Sequence, residues 1–274
     1  MWPSLLVLSL SCPAMLAGDT PVQVPQLPAG AQTRWVVAEP EEIVAYLVFD
    51  PATVEHLIPP KLRFITLDEL AAGGVVWAKE HLIKYPERAR WGISFFEIVR
   101  MRTFMIDGRA PDWPTHGAAA LWLARVAPSD PAVDLGPGRP FLTLGFWIPD
   151  REYAAYMVKK GYYANYGEVR LRQGAKGAWI ASVKANGLDL AAECRPSGPV
   201  TGVAQSAGMQ AFFPPRTSST KDIVRVAFAG HREQVCEKGS IWNFRGTHPL
   251  VHAEVLEPAS FQFGYRMNGG TYPP

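Results

Sequence analysis

Residues 150–172 read DREYAAYMVKKGYYANYGEVRLR, and a change of periodicity inside this stretch decides the fold. Asp150 offers an N-cap oxygen, and Ala154, Ala155, Met157 and Val158 form an apolar face at helical spacing, so 150–160 reads as a helix. Lys159 and Lys160 fall in its last turn, where cations suit the helix dipole. Gly161 suits the first position past the end, where a left-handed backbone stops a helix. From Glu168 to Arg172 polar and apolar residues alternate, the period of a strand with one buried face.

Outward from this unit, strands outnumber helices. Residues 42–49 (EIVAYLVF) are apolar and β-rich; 75–85, 94–106, 118–126 and 141–148 also read as strands. Residues 168–172 and 178–183 form a hairpin around Gly174–Gly177, and later strands are expected at 223–229, 231–236 and 261–267. Asp50-Pro51 starts a short helix with Val54, Leu57 and Ile58 on its inner face, stopped by Pro59-Pro60, and Asp107-Gly108 makes a turn. Helices do not alternate with strands, which excludes a doubly wound sheet. The expected class is mainly β (α+β): an antiparallel closed β-cone or barrel with surrounding sheet and a few short helices.

The 274 residues suffice for one good core, with residues 34–274 expected as a single domain after an N-terminal segment 1–33. A hydrophobic fraction of 48% against 19% charged residues excludes a disordered chain. Net charge +2 without a basic block gives nucleic acid no footprint. Residues 5–10 (LLVLSL) are too short to span a bilayer, lack a preceding basic region and run into Pro13. A cleaved signal, an extension and a misassigned start all fit them. Export would leave Cys194 and Cys236 to pair after loss of Cys12; a cytoplasmic location, slightly favoured, implies three separate thiols.

Four places, in order, resemble the acetoacetate decarboxylase family. They are Asp50 to Pro60, Phe95-Phe96-Glu97-Ile98, the segment 161–172, and His248-Pro249-Leu250; together they span roughly residues 34–269. The resemblance implies a cone-like β-barrel holding a small keto acid, a homo-oligomer, and a lysine that forms an imine with the substrate. That lysine belongs to a glycine-aromatic-proline-lysine-lysine turn. Here the glycine and the aromatics Tyr162 and Tyr163 have counterparts, but the lysine pair is replaced by Ala164-Asn165. Neither side chain can form an imine. The family's arginine ahead of the first helix is also missing, its place being taken by Glu39-Pro40-Glu41-Glu42, and of a second glutamate expected near Trp77-Ala78 only Glu80 is close.

The expected function is therefore acid/base chemistry on a small carbonyl compound, of lyase, isomerase or cyclase type and without an imine. Glu97 stands in an apolar strand, where burial would raise its pKa into the range of a general acid or base. Alternation instead permits Glu97 to face away from Phe96 and Ile98. Asn165 with Tyr162, Tyr163 and Tyr166 offers hydrogen bonds to a carbonyl oxygen. Trp77 and Phe96 are expected to shape the cavity. Two further readings stay open: a non-catalytic protein binding a small ligand, and a β-keto acid decarboxylase using Lys159 or Lys160; Lys79 and Lys84 are weaker candidates. His248 and His252 are spaced like a metal pair, but Pro249 separates them and no further ligand stands at zinc spacing; His116 is a loop residue. Neither a metal nor a cofactor is expected. No Gly-x-Ser-x-Gly elbow or glycine-rich phosphate loop occurs.

Overall fold

The computed structural model describes residues 23–38, 40–101, 103–110 and 118–274; Cys12, His116 and the apolar run 5–10 lie outside them. Strands β1 (Thr33–Ala38), β2 (Glu41–Phe49) and β3 (Leu62–Phe64) lead to helices α1 (Leu67–Ala72) and α2 (Val76–Lys84). Strands β4 (Gly92–Arg100), β5 (Thr103–Ile106), β6 (Ala118–Pro128) and β7 (Arg139–Ile148) precede helix α3 (Arg151–Lys159). Then come β8 (Asn165–Tyr166), β9 (Glu168–Gln173), β10 (Trp179–Ala185), β11 (Leu188–Cys194) and β12 (Pro196–Phe213). The chain ends with β13 (Ile223–Cys236), β14 (Ile241–Gly246), β15 (Glu254–Phe263) and β16 (Arg266–Tyr272).

The 12-stranded sheet runs β12-β7-β6-β4-β2-β15-β13-β16-β1-β5, with β3 on β6 and β8 on β7. Because β12 also pairs with β13, the path through β7, β6, β4, β2 and β15 returns on itself, and the sheet is partly ringed. Its ladders are antiparallel except β12–β7 and β7–β8. A 4-stranded sheet, β14-β11-β10-β9, covers the outside of the ring.

Alternation sorts the side chains. On the outer face Leu47, Phe96, Ile98, Trp122 and Leu142 meet Trp179, Val183 and Leu190 of the small sheet in the largest apolar cluster. Trp122 donates its indole N–H to Ser94 Oγ at 3.0 Å, so its one polar atom is satisfied. One end of the inner face is closed by β1, β5 and α3, whose Trp35, Val37, Ile106, Tyr153 and Met157 cluster with Val99, Ala119 and Ile148. At the other end α1 and α2 set Leu67 and Ala78 against Val48 and Ile93.

The unit 150–172 folds as its sequence dictates. Asp150 accepts from Tyr153 N at 2.8 Å. Past the helix, Gly161 takes φ +88, Tyr162 N bonds Met157 O at 3.0 Å and Gly161 N bonds Val158 O at 3.1 Å, a Schellman ending. Its buried face is Tyr153, Ala154 and Met157, while Ala155 is exposed.

Several expectations need correction. Residues 75–85 are not a strand: Val75, Ala78 and Leu82 pack inward at helical spacing, and that burial outweighs the β-branched start. The expected strand 94–106 is two strands that pair with different partners. The segments 223–229 and 231–236 are one strand, and the segment 261–267 turns at Gly264 (φ +72). Asp50-Pro51 opens a 3-10 turn rather than an α-helix, although Val54 is buried as expected. Cys194 and Cys236 are not separate thiols but a disulfide with Cα atoms 5.2 Å apart, joining the ends of β11 and β13.

Candidate active site

Glu97 faces into the ring, opposite to Phe96 and Ile98. Its neighbours across the ladders are Val44 on β2 and Leu121 on β6, and Leu121 in turn faces Phe146 on β7. Tyr46, Phe95, Glu97, Leu121 and Phe146 share this inner face and are all half-buried, although the strands beneath them are central in the sheet. A sealed core would bury such side chains completely; their remaining exposure shows that this inner face is not fully sealed.

Glu42 is the carboxylate closest to Glu97 in the ladder. It sits opposite Val99, which makes it a diagonal neighbour of Glu97 on the same face, about 7–8 Å away between backbones. Across the next ladders Glu42 faces Gln262, and Gln262 faces Glu233. Tyr265, placed by the Gly264 turn, hydrogen-bonds the Glu42 carboxylate. His231 Nε2 lies 2.7 Å from Gln262 Oε1, and Gln262 Nε2 donates to Ser260 Oγ at 3.0 Å. Tyr46 shares this face, and burial raises its pKa. Glu97, Glu42, Gln262 and Glu233 thus stand in one row across four strands.

Burial drives its electrostatics. Desolvation pushes Glu42 up to about 7; the Glu233 charge adds to this and the Tyr265 hydrogen bond opposes it. Glu97 is held well above the usual carboxylate range, first by desolvation and then by Glu42. Glu233 is raised by burial too, with His231 opposing. Two carboxyls coupled in this way titrate as a pair, and both ionise above the ordinary carboxylate range.

The structure disperses the remaining candidates. Phe96 packs on the outer face, 6.2 Å from Trp147 and 6.0 Å from Phe244 between ring centres. Trp77 lies on α2, half-buried among the residues that cover the Ile93 end of the ring, and Lys79, Glu80 and Lys84 are exposed on that helix. Asn165 lies on β8, its Nδ2 3.5 Å from Phe146 O. It is three ladder steps from the Glu97 strand, about 14 Å at ordinary strand spacing. Tyr163 is raised by burial, against a hydrogen bond with Asn165, and Tyr162 is buried with its hydroxyl 2.9 Å from Thr33 Oγ1. Ala164 is buried. Lys159 is exposed, and Lys160 pairs with Asp107 at 2.8 Å, which raises its pKa. His248 accepts from Leu250 N at 3.2 Å and lies against Trp122 and Trp147, with burial lowering its pKa to about 4; His252 is exposed.

Sequence inspection missed Glu42, Glu233, Tyr265 and His231. Only Glu42 carried a local signal: it alternates with Val44 and Tyr46, and so shares the face of a polar ring atom. It stands, moreover, in the stretch where the resemblance implied an arginine.

No protein-family model matches the chain, and comparison with curated proteins finds no match. Solved structures do match. An acetoacetate decarboxylase superposes with a TM-score of 0.53 at 11% identity, over 89% of this chain and 88% of that one. The acetoacetate decarboxylase from Legionella pneumophila subsp. pneumophila str. Philadelphia 1 superposes with a TM-score of 0.52 at 10% identity, over 96% of this chain and 98% of that one. The ringed sheet, its covering outer sheet and the few short helices are therefore those of the acetoacetate decarboxylase-like fold.

Proposed function

We propose that the chain is an acid/base enzyme acting on a small carbonyl compound inside the ring, by lyase, isomerase or cyclase chemistry and without an imine. The observation that carries this is the Glu42–Glu97 pair on one inner face of the ring, both carboxyls raised above their ordinary range by burial. Glu97, the more strongly raised, delivers a proton to the carbonyl oxygen, while ionised Glu42 removes a proton from the adjacent carbon; the product is the enol, and the pair has exchanged one proton. Tyr265 holds Glu42 in place. The position of the imine lysine is Ala164-Asn165, and Lys160, paired with Asp107, is kept charged, the opposite of what a nucleophilic amine needs. The disulfide favours an oxidising compartment over the cytoplasm.

Glu97→Gln is expected to lower turnover about 100- to 10,000-fold with ligand binding retained. Unchanged turnover would remove Glu97 from the mechanism. Borohydride treatment with acetoacetate or a β-diketone, followed by mass spectrometry, is expected to leave every lysine unlabelled; an adduct on Lys159 or Lys160 would replace this mechanism by imine decarboxylation.

A further inference from the structure

Arg125 lies on the inner face of β6, four residues from Leu121 and therefore about 13 Å up the ring from the Glu97 row. It faces Phe141 across the ladder, its guanidinium carbon 5.4 Å from that ring's centre. Phe141 in turn meets Phe95 edge-on at 5.2 Å and Phe212 at 6.0 Å. The Nε of Arg125 is buried and has no hydrogen-bond partner, and among the described residues no carboxylate pairs with its guanidinium. The charge that acts on it is another cation, Arg139, on the strand beside it. An arginine stays charged even when buried, and a buried donor without an acceptor costs about 1–3 kcal/mol. A ligand anion would remove it.

We propose that Arg125 is an anion subsite: the ligand of this inner face carries a carboxylate at Arg125 and an apolar or aromatic middle against Phe95, Phe141 and Phe212. This rests on the inner face described above and deepens the proposed function, since it makes the substrate an elongated carbonyl compound with a distal carboxylate. The planar guanidinium offers two parallel N–H donors to a carboxylate, with Phe141 supporting its face.

The test is calorimetric titration with 6-phenylhexanoate and with 6-phenylhexanamide, which differ in charge and not in length. Wild-type protein is expected to bind the carboxylate about ten- to a hundredfold more tightly than the amide, the span of a hydrogen bond to a charged group. Arg125→Gln should erase that preference, Arg125→Lys should restore part of it, and Glu97→Gln should leave it intact. Equal binding of the two probes by the wild type, no binding of either at millimolar concentration, or a preference that survives Arg125→Gln would each overturn the subsite. If Arg125→Gln does not fold, the wild-type preference and Arg125→Lys still decide. Failure of the acid/base mechanism would show in the turnover of Glu97→Gln and not in these affinities, so the two claims fail separately.

Discussion

The two faces of β4 differ in what covers them. Phe96 and Ile98 are fully buried against the small sheet, in a cluster with Trp122, Leu190 and Val183. Phe95 and Glu97, the alternate residues of the same strand, keep part of their surface open and look into the ring. Backbone and hydrogen-bond ladder are common to both faces, so what differs is the covering. A sheet laid flat on the outside excludes water, whereas the inner face has no such cover and keeps part of its surface open. Stability is concentrated on the first face and titratable chemistry on the second.

Substitutions can break this division, and the largest effect is expected on the outer face. Phe96→Ala should cost about 3–5 kcal/mol in chemical denaturation, as a large buried ring leaves a cavity. The titration of Glu42 and Glu97 should survive wherever the variant is folded. A loss below 1 kcal/mol, or about that, would mean that the outer face is not the main core. Next in size is the disulfide, which ties the outer sheet to the ring across a sequence separation of 42 residues. Replacing both Cys194 and Cys236 by Ala should lower stability by about 2–4 kcal/mol, and adding a reductant to this variant should change nothing further.

The inner face makes a prediction of opposite sign. Glu42 is raised to about 7 in the folded state, so folding takes up a proton between the ordinary carboxylate range and that value. Its contribution is fully present below pH 4, or about that, and is lost as pH rises through about 7. Glu42→Gln should therefore flatten the stability profile over this window, gaining up to about 3 kcal/mol at pH 8 relative to the wild type's decline. A parallel profile in both proteins would contradict the shift. Smallest is Tyr265→Phe: it removes the hydrogen bond to ionised Glu42, should cost about 1 kcal/mol at pH 8, and should move the Glu42 midpoint upward. A downward movement would show that Tyr265 does not donate to Glu42.

How much of this was legible beforehand follows the range of the forces involved. The helix α3, its Gly161 ending and strand β9 were readable because caps, the left-handed glycine and alternation act within a few residues. The strand pattern around them pointed to the right fold class for the same reason. The helix α2 was misread because Val75 and Val76 favour a strand locally, while packing of Ala78 and Leu82 on the ring settles the matter from a distance. The long β12 was unreadable, since its stretch 196–208 is rich in Gly, Pro, Ser and Ala and is held by pairing with β13. Half the site was hidden on the same ground. Glu97 stood out in an apolar strand, whereas Glu42, Glu233 and Tyr265 come together only through the ladders linking β2, β15 and β13 and the turn at Gly264. Phe96 was assigned to the cavity, yet alternation with Glu97 sends it to the other face.

The central claim is that the ring holds a carboxyl pair raised above the ordinary carboxylate range. Carbon-13 NMR titration of glutamate side-chain carboxyls, assigned with Glu42→Gln and Glu97→Gln, measures this directly. Glu42 should show a midpoint near 7, and Glu97 should ionise well above the ordinary carboxylate range. If both residues instead ionise at about 4.3, the value of a solvated glutamate, the inner face is not an acid/base site.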